Sequence, residues 1–113
     1  TAPAVSSVAP TDAATGIAVA ADVTVTFGEK IDPASVAIDT TSVDGNIRVR
    51  RQSDGAKVYG TATVVDGVLT FDPAEDLDAA TTYEVIVTAG AGAIADLAGN
   101  EVATGSTTTF TTQ

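Results

Sequence analysis

The 113-residue chain has no cysteine, histidine, methionine or tryptophan. Without cysteine there is no disulfide and no thiolate metal site, and without histidine zinc, copper and haem lose their usual ligands. Any metal would be a hard, oxygen-loving ion, calcium first. The same absences remove the commonest general base and the best nucleophile, so catalysis is disfavoured before any motif is read. Bases are scarce too: 5 Lys and Arg stand against 15 Asp and Glu, a formal charge of −10. Nucleic acid and anionic membranes both require Lys and Arg to meet phosphate, so neither partner is expected. No apolar run approaches the ~20 residues of a membrane span and no signal peptide is seen, so no membrane insertion is expected either. Aromatics are limited to two Tyr and three Phe.

What remains is rich in Val, Thr and Ala, and it alternates with period two between turn signals, the pattern of a sandwich or barrel. Residues 4–9 (AVSSVA) form a first short strand, closed by Pro10. In 22–27 (DVTVTF) Val23, Val25 and Phe27 face one way; in 46–51 (NIRVRR) Ile47 and Val49 point inward and Arg48 and Arg50 outward. The SDG at 53–55 is a tight-turn signal, and 57–65 (KVYGTATVV) returns as the hairpin partner. Asp66-Gly67 marks a second hairpin into 68–71, with Leu69 and Phe71 inward. Residues 82–87 bury Tyr83, Val85 and Val87, and 106–112 end the set with Phe110 as core anchor. This predicts seven strands in one domain spanning 1–113.

Local chemistry fills in the connections. Within 28–45, Asp32 is placed to cap a helical turn and Pro33 suits its first position. Leu77 followed by Tyr83 at the start of a Val-rich strand is the spacing of a tyrosine corner, in which the hydroxyl meets backbone a few residues upstream. Asp-Gly at 44–45, 54–55 and 66–67 reads as hairpin chemistry, and the AGAGA of 89–93 as a flexible connection without the Gly-Lys-Ser/Thr of a phosphate loop. Arg48, Arg50, Arg51 and Lys57 lie together, either as a docking patch or as a solvated face neutralised by cross-strand acids, the second being favoured.

Four stretches in order, VSSVAPTDAATGIAVAADVTVTFGEKIDPASV, TTYEVIVTAG, IADLAGNEV and STTTFTT, resemble bacterial immunoglobulin-like domains of the S-layer and large-adhesin type. The resemblance covers nearly the whole chain; only 39–67 lacks a recognisable motif. It implies an all-β, seven-stranded immunoglobulin-like (fibronectin-III-like) β-sandwich, secreted or at the bacterial cell surface, used in tandem as a spacer or as part of an adhesin. The acidic, lysine-poor composition suits that setting. The start at Thr1 without methionine reads as one module excised from a longer tandem-repeat protein. The partners implied are neighbouring domains of the same chain, with other surface proteins or glycans beyond them.

In such a sandwich the loops gather at two poles. The loops after the second and the sixth predicted strands share one pole, with Glu29, Asp32, Asp39, Asp44, Asp96, Asn100 and Glu101; Asp12, Asp72, Glu75, Asp76 and Asp78 fall at the other. Two like charges 6 Å apart repel by roughly 3 kcal/mol at an effective dielectric of ~20. Calcium between copies joined end to end would turn that repulsion into a stiff link, and Asp96, Asn100, Asp32 and Glu29 are the candidate ligands. No cofactor is required by the sequence. DLAGN at 96–100 reads first as an Asx-turn with Gly99 or Asn100 left-handed, because neither it nor 72–78 has the ligand spacing of an EF-hand.

Two other classes of function are less well supported by the residues. Asp76 with Asp78, or Glu75 with Asp72, would be the carboxylate pair of a glycosidase, but an aromatic-lined cleft is missing, and Ser53 and Ser106 have no base beside them. A ligand-binding module gripping a carbohydrate or protein through the two loops of the first pole is favoured by the length of 89–105 and disfavoured by its lack of aromatics and bases. The expected role is a non-catalytic structural spacer.

Overall fold

The computed structural model describes residues 3–113. Two four-stranded sheets pack face to face. One has the order β1 (Val5–Ala9), β3 (Val23–Phe27), β6 (Val68–Pro73), β5 (Gly60–Val65); the other runs β2 (Ala14–Ile17), β8 (Ser106–Thr112), β7 (Thr82–Val87), β4 (Ile47–Arg51). Every pairing is antiparallel except β2 with β8. The alternation read in the sequence is the alternation of burial. Val23, Val25, Phe27, Ile47, Val49, Leu69, Phe71, Tyr83, Val85, Val87 and Phe110 are all buried and fill the space between the sheets. Phe110 stacks on Tyr83 with ring centroids 5.7 Å apart.

Among the described residues the strands number eight, not seven. The added one is β2, four residues long, with Gly16 at φ 68° and a break in register. Its residues carry no alternation, and pairing with β8 is what makes them a strand. A second correction concerns 57–65. Lys57 and Val58 pair with β4 as expected, through an Arg50–Lys57 bridge and a Val58 N–H bond of 2.9 Å to the Val49 carbonyl. The chain then crosses at Tyr59 and Gly60 and joins β6 in the opposite sheet. Gly60 is required at the crossing, since a Cβ there would collide with the backbone of Asp72 and Pro73.

The connections are more anchored than the sequence suggests. Ala93, Ile94 and Val102 are buried, and Val102 N–H bonds the Ile94 carbonyl at 2.8 Å, so the loop that follows the exposed residues 89–92 is folded onto the core. Gly45 is likewise no hairpin residue: it is buried where a Cβ would strike the backbone of 37–39, and its N–H bonds Asp39 Oδ1 at 2.8 Å. The expected turn at 33–35 is a 3-10 helix whose cap, Asp32 Oδ1, accepts from Ala34 N at 3.0 Å. The tyrosine corner is present as well. Tyr83 Oη accepts from Asp78 N at 2.8 Å, and Thr112 Oγ1 donates to the Asp78 carbonyl, so the loop before β7 is held from both sides.

The axes of the molecule measure 40 × 28 × 21 Å. Ala4 lies at one end, its carbonyl bonded to Gly28 N at 3.0 Å; Gln113 lies at the other, bonded to Ile17 and Ala80.

Candidate functional site

The end carrying Ala4 collects the β3–β4 loop, the β5–β6 turn and the β7–β8 loop. Two backbone bonds join them: Asp32 N to the Ala95 carbonyl at 2.8 Å and Ile31 N to the Asp66 carbonyl at 3.1 Å. Glu29, Asp32, Asp96 and Asn100 therefore do share one pole. Asp96 is only 8% exposed. Its Oδ1 accepts from Ala98 N and Asn100 N, each at 2.9 Å, and its Oδ2 from Asn100 Nδ2 at 3.1 Å, while Gly99 takes φ 88°. This is the Asx-turn, closed by its own carboxylate. The Asn100 amide, then its backbone N–H, holds the Asp96 carboxyl below the ordinary carboxylate range.

The remaining acids are dispersed. Asp32 Oδ1 is engaged in its helix cap, and Glu101 Oε2 accepts from Gly92 N at 2.7 Å. Asp39 is withdrawn from the pole altogether: its side chain is fully buried and its carboxylate meets Arg50 Nε at 3.0 Å and Nη2 at 3.2 Å. Asp44 is drawn to β4 by Lys57 at 2.9 Å and Arg50 at 3.2 Å, and the Lys57 hydrogen bond lowers its pKa. At the opposite end Asp12 lies off the pole, accepting from Thr109 N beside the middle of β8. Asp78 is bound there by Arg51 at 2.6 Å, and Arg51 also holds Asp54 bidentately, bringing the Asp54 carboxyl down to about 2. Arg50, Arg51 and Lys57 are thus paired with acids, which come from loops rather than from the neighbouring strand, while Arg48 donates through Nε to the Gly45 carbonyl at 2.7 Å.

The chemistry open to this arrangement is narrow. Among the described residues no three Asp, Glu, His or Cys side chains are grouped to hold a metal. Of the four candidate ligands, Glu29 and Asp32 each keep at least one carboxylate oxygen for which no hydrogen bond is seen among the described residues. Glu29 Oε1 is buried without a partner. That set does not supply the six to eight oxygens of a calcium site. Glu75, Asp76 and Asp78 line a groove of 340 Å³ with Lys57, Tyr59 and Tyr83, yet Asp78 is already tied to Arg51.

If Asp96 serves the turn, its contribution to stability is fixed in sign. A carboxyl with a lowered pKa stabilises the fold above its unfolded value of about 3.9 and loses that contribution as pH falls through the folded pKa. Thermal melts of the wild type and Asp96→Ala are therefore expected to differ most at pH 6, with the gap narrowing progressively as pH falls below about 3.9. A gap that does not change with pH would contradict this role.

One residue that the sequence reading placed simply at the start of a strand is the hub of this end. Asn46, 6% exposed, donates through Nδ2 to the carbonyls of Ser35 at 2.6 Å and Gly92 at 3.1 Å, and accepts through Oδ1 from Ala37 N at 2.9 Å. Its carbonyl accepts from Thr88 N at 3.0 Å. A polar residue opening an alternating strand was the available signal, but its partners lie 9 to 46 positions away.

The comparisons agree with this architecture. The crystal structure of the N-terminal part of the bacterial S-layer protein SbsC matches with a TM-score of 0.66 and 26% identity, over 100% of this chain and 24% of that one. A structure of SbsC domains 1–6 matches with a TM-score of 0.64 and 25% identity, over 98% of this chain and 14% of that one. The chain thus spans a quarter or less of those proteins. No match was found among curated proteins. The bacterial Ig-like domain family model matches residues 1–112, and the chain belongs to that family.

Proposed function

We propose that this domain is a non-catalytic spacer module of a secreted or cell-surface bacterial protein, of S-layer or adhesin type. The observation that carries this reading is the placement of Ala4 and Gln113 at opposite ends of a sandwich 40 Å long. Copies joined through such ends form a rod. The two S-layer neighbours, each far longer than this chain, support a setting in which many domains follow one another. Among the described residues no helix is long and apolar enough to cross a membrane. The −10 charge keeps closely spaced copies soluble. The loops that a ligand-binding module would use are instead folded onto the core or closed on their own backbone, which favours the spacer.

Calcium enters this reading only at a junction between copies. Asp32 would contribute its second carboxylate oxygen there, beside Glu29 and ligands from the neighbouring domain. Thermal melts with millimolar calcium or chelator test the point on the single domain and on a two-domain tandem. The expected result is no shift for the single domain and a rise for the tandem that Asp32→Asn removes. A rise in the single domain would overturn the junction. The spacer reading itself is tested by small-angle scattering of the tandem, which is expected to show a rod of about twice the single-domain length. A folded-back particle would refute it.

A further inference from the structure

A sandwich has four sheet edges, and three of these are blunted against association. β1 carries a register shift between Val5 and Ser7 and is followed by Pro10. β2 is four residues long and broken in register. β4 is charged and covered on its outer side by Ile38 and by residues 56–58. β5 differs: its six residues pair with β6 in unbroken register, and the stretch 58–65 contains no charge and no proline. The two-residue turn at Asp66-Gly67 makes Val65 and Val68 a bonded pair, so Val65, Thr63 and Thr61 bond inward to β6. The N–H and C=O groups of Gly60, Ala62 and Val64 consequently face outward, and among the described residues no backbone partner meets them from outside β6. Beside them runs a groove of 340 Å³ walled by Pro33, Val36, Ile38, Ala62 and Val64.

We propose that β5 is a self-association edge, whose occupant is β5 of a second copy of this chain, antiparallel about a two-fold axis at Ala62. The lack of charge along the edge, and the two-fold match of its own residues, admit this occupant. In a molecule of net charge −10, β5 is a neutral seam between two ion pairs, Lys57–Asp44 at 2.9 Å and Lys30–Asp66 at 3.8 Å. Antiparallel pairing lays the Lys57–Asp44 end of one copy towards the Lys30–Asp66 end of the other, so each margin brings together two ion pairs and no unpaired like charges. The register places Ala62 opposite Ala62 and Gly60 opposite Val64, which gives about six backbone hydrogen bonds at two per bonded pair. Thr61 and Thr63, both exposed, then face each other across the axis. The contact is isologous and closes at two copies, so it joins neighbouring rods side by side rather than extending one.

Sedimentation equilibrium of the 113-residue chain over micromolar to millimolar concentration tests this, with thermal melts to establish that each variant is folded. The wild type is expected to dimerise reversibly. Ala62→Pro removes only an outward N–H and is expected to weaken the dimer at least tenfold. The pair Thr61→Lys with Thr63→Lys sets like charges opposite one another and is expected to weaken it similarly. Thr61→Lys with Thr63→Glu sets opposite charges in the same places and is expected to restore it. A wild type that stays monomeric throughout overturns the proposal. So does a dimer indifferent to these variants, or one that both charged pairs weaken equally.

Discussion

Asn46→Ala is expected to lower the stability of the domain by about 3 kcal/mol, read as a fall in the midpoint of denaturant unfolding at unchanged slope. The side chain spans two loops and makes three hydrogen bonds, and it is almost wholly buried. Truncation leaves the Ser35 and Gly92 carbonyls and the Ala37 N–H facing a small void. Each net bond contributes about 1 kcal/mol, while a buried group left unpaired costs about 1–3 kcal/mol, so water entering the gap recovers only part of the loss. Asn46→Asp is the sharper control: it preserves shape and the acceptor but loses both donors, and it is expected to be at least as damaging. A loss below about 0.5 kcal/mol for both variants would show that the loops hold together without this hub.

Arg50→Met is expected to cost about 3 kcal/mol, because it leaves the Asp39 carboxylate buried without a counter-charge. The Arg50 side chain is 20% exposed and that of Asp39 is fully buried, so water cannot readily take the place of the guanidinium. The remaining Asp39 contact, from Gly45 N at 2.8 Å, does not neutralise a charge. Adding Asp39→Asn to Arg50→Met is expected to recover most of the loss, since a neutral amide retains an acceptor for Gly45 and needs no cation. The double variant separates the cost of an unpaired charge from the packing lost with the long Arg side chain. If both variants are equally unstable, packing is the larger effect.

These two residues also show where sequence reading succeeds and where it stops. Alternation located seven of the eight strands and the inward face of five of them, because a face buried against the opposite sheet leaves a period of two in the chain itself. Local rules located the Asp32 cap, the Asx-turn at Asp96 and the tyrosine corner, whose partners lie within five residues. Partners set by the fold were not legible. Asp39 and Asp44 look like pole acids until Arg50 and Lys57 draw them to β4. Ile94 and Val102 sit among glycines and alanines in a segment without period, so their burial depends on the loop as a whole. The crossing of 57–65 between sheets carries one local mark, Gly60, and its requirement comes from the backbone of Asp72 rather than from its own neighbours.

The parallel pairing of β2 with β8 has a mechanical consequence. The chain runs from the Ala4 end down β1 and β2, and it leaves at Gln113 along β8. Tension applied between these ends draws β2 and β8 past each other along their length. The bonds joining them, from Ala13 N to the Thr109 carbonyl through to Gln113 N to the Ile17 carbonyl, are then loaded in shear and share the force. Rupture requires several to fail together, whereas a hairpin pulled from its open end would unzip one bond at a time. The shortest strand of the fold therefore acts as its tensile clasp.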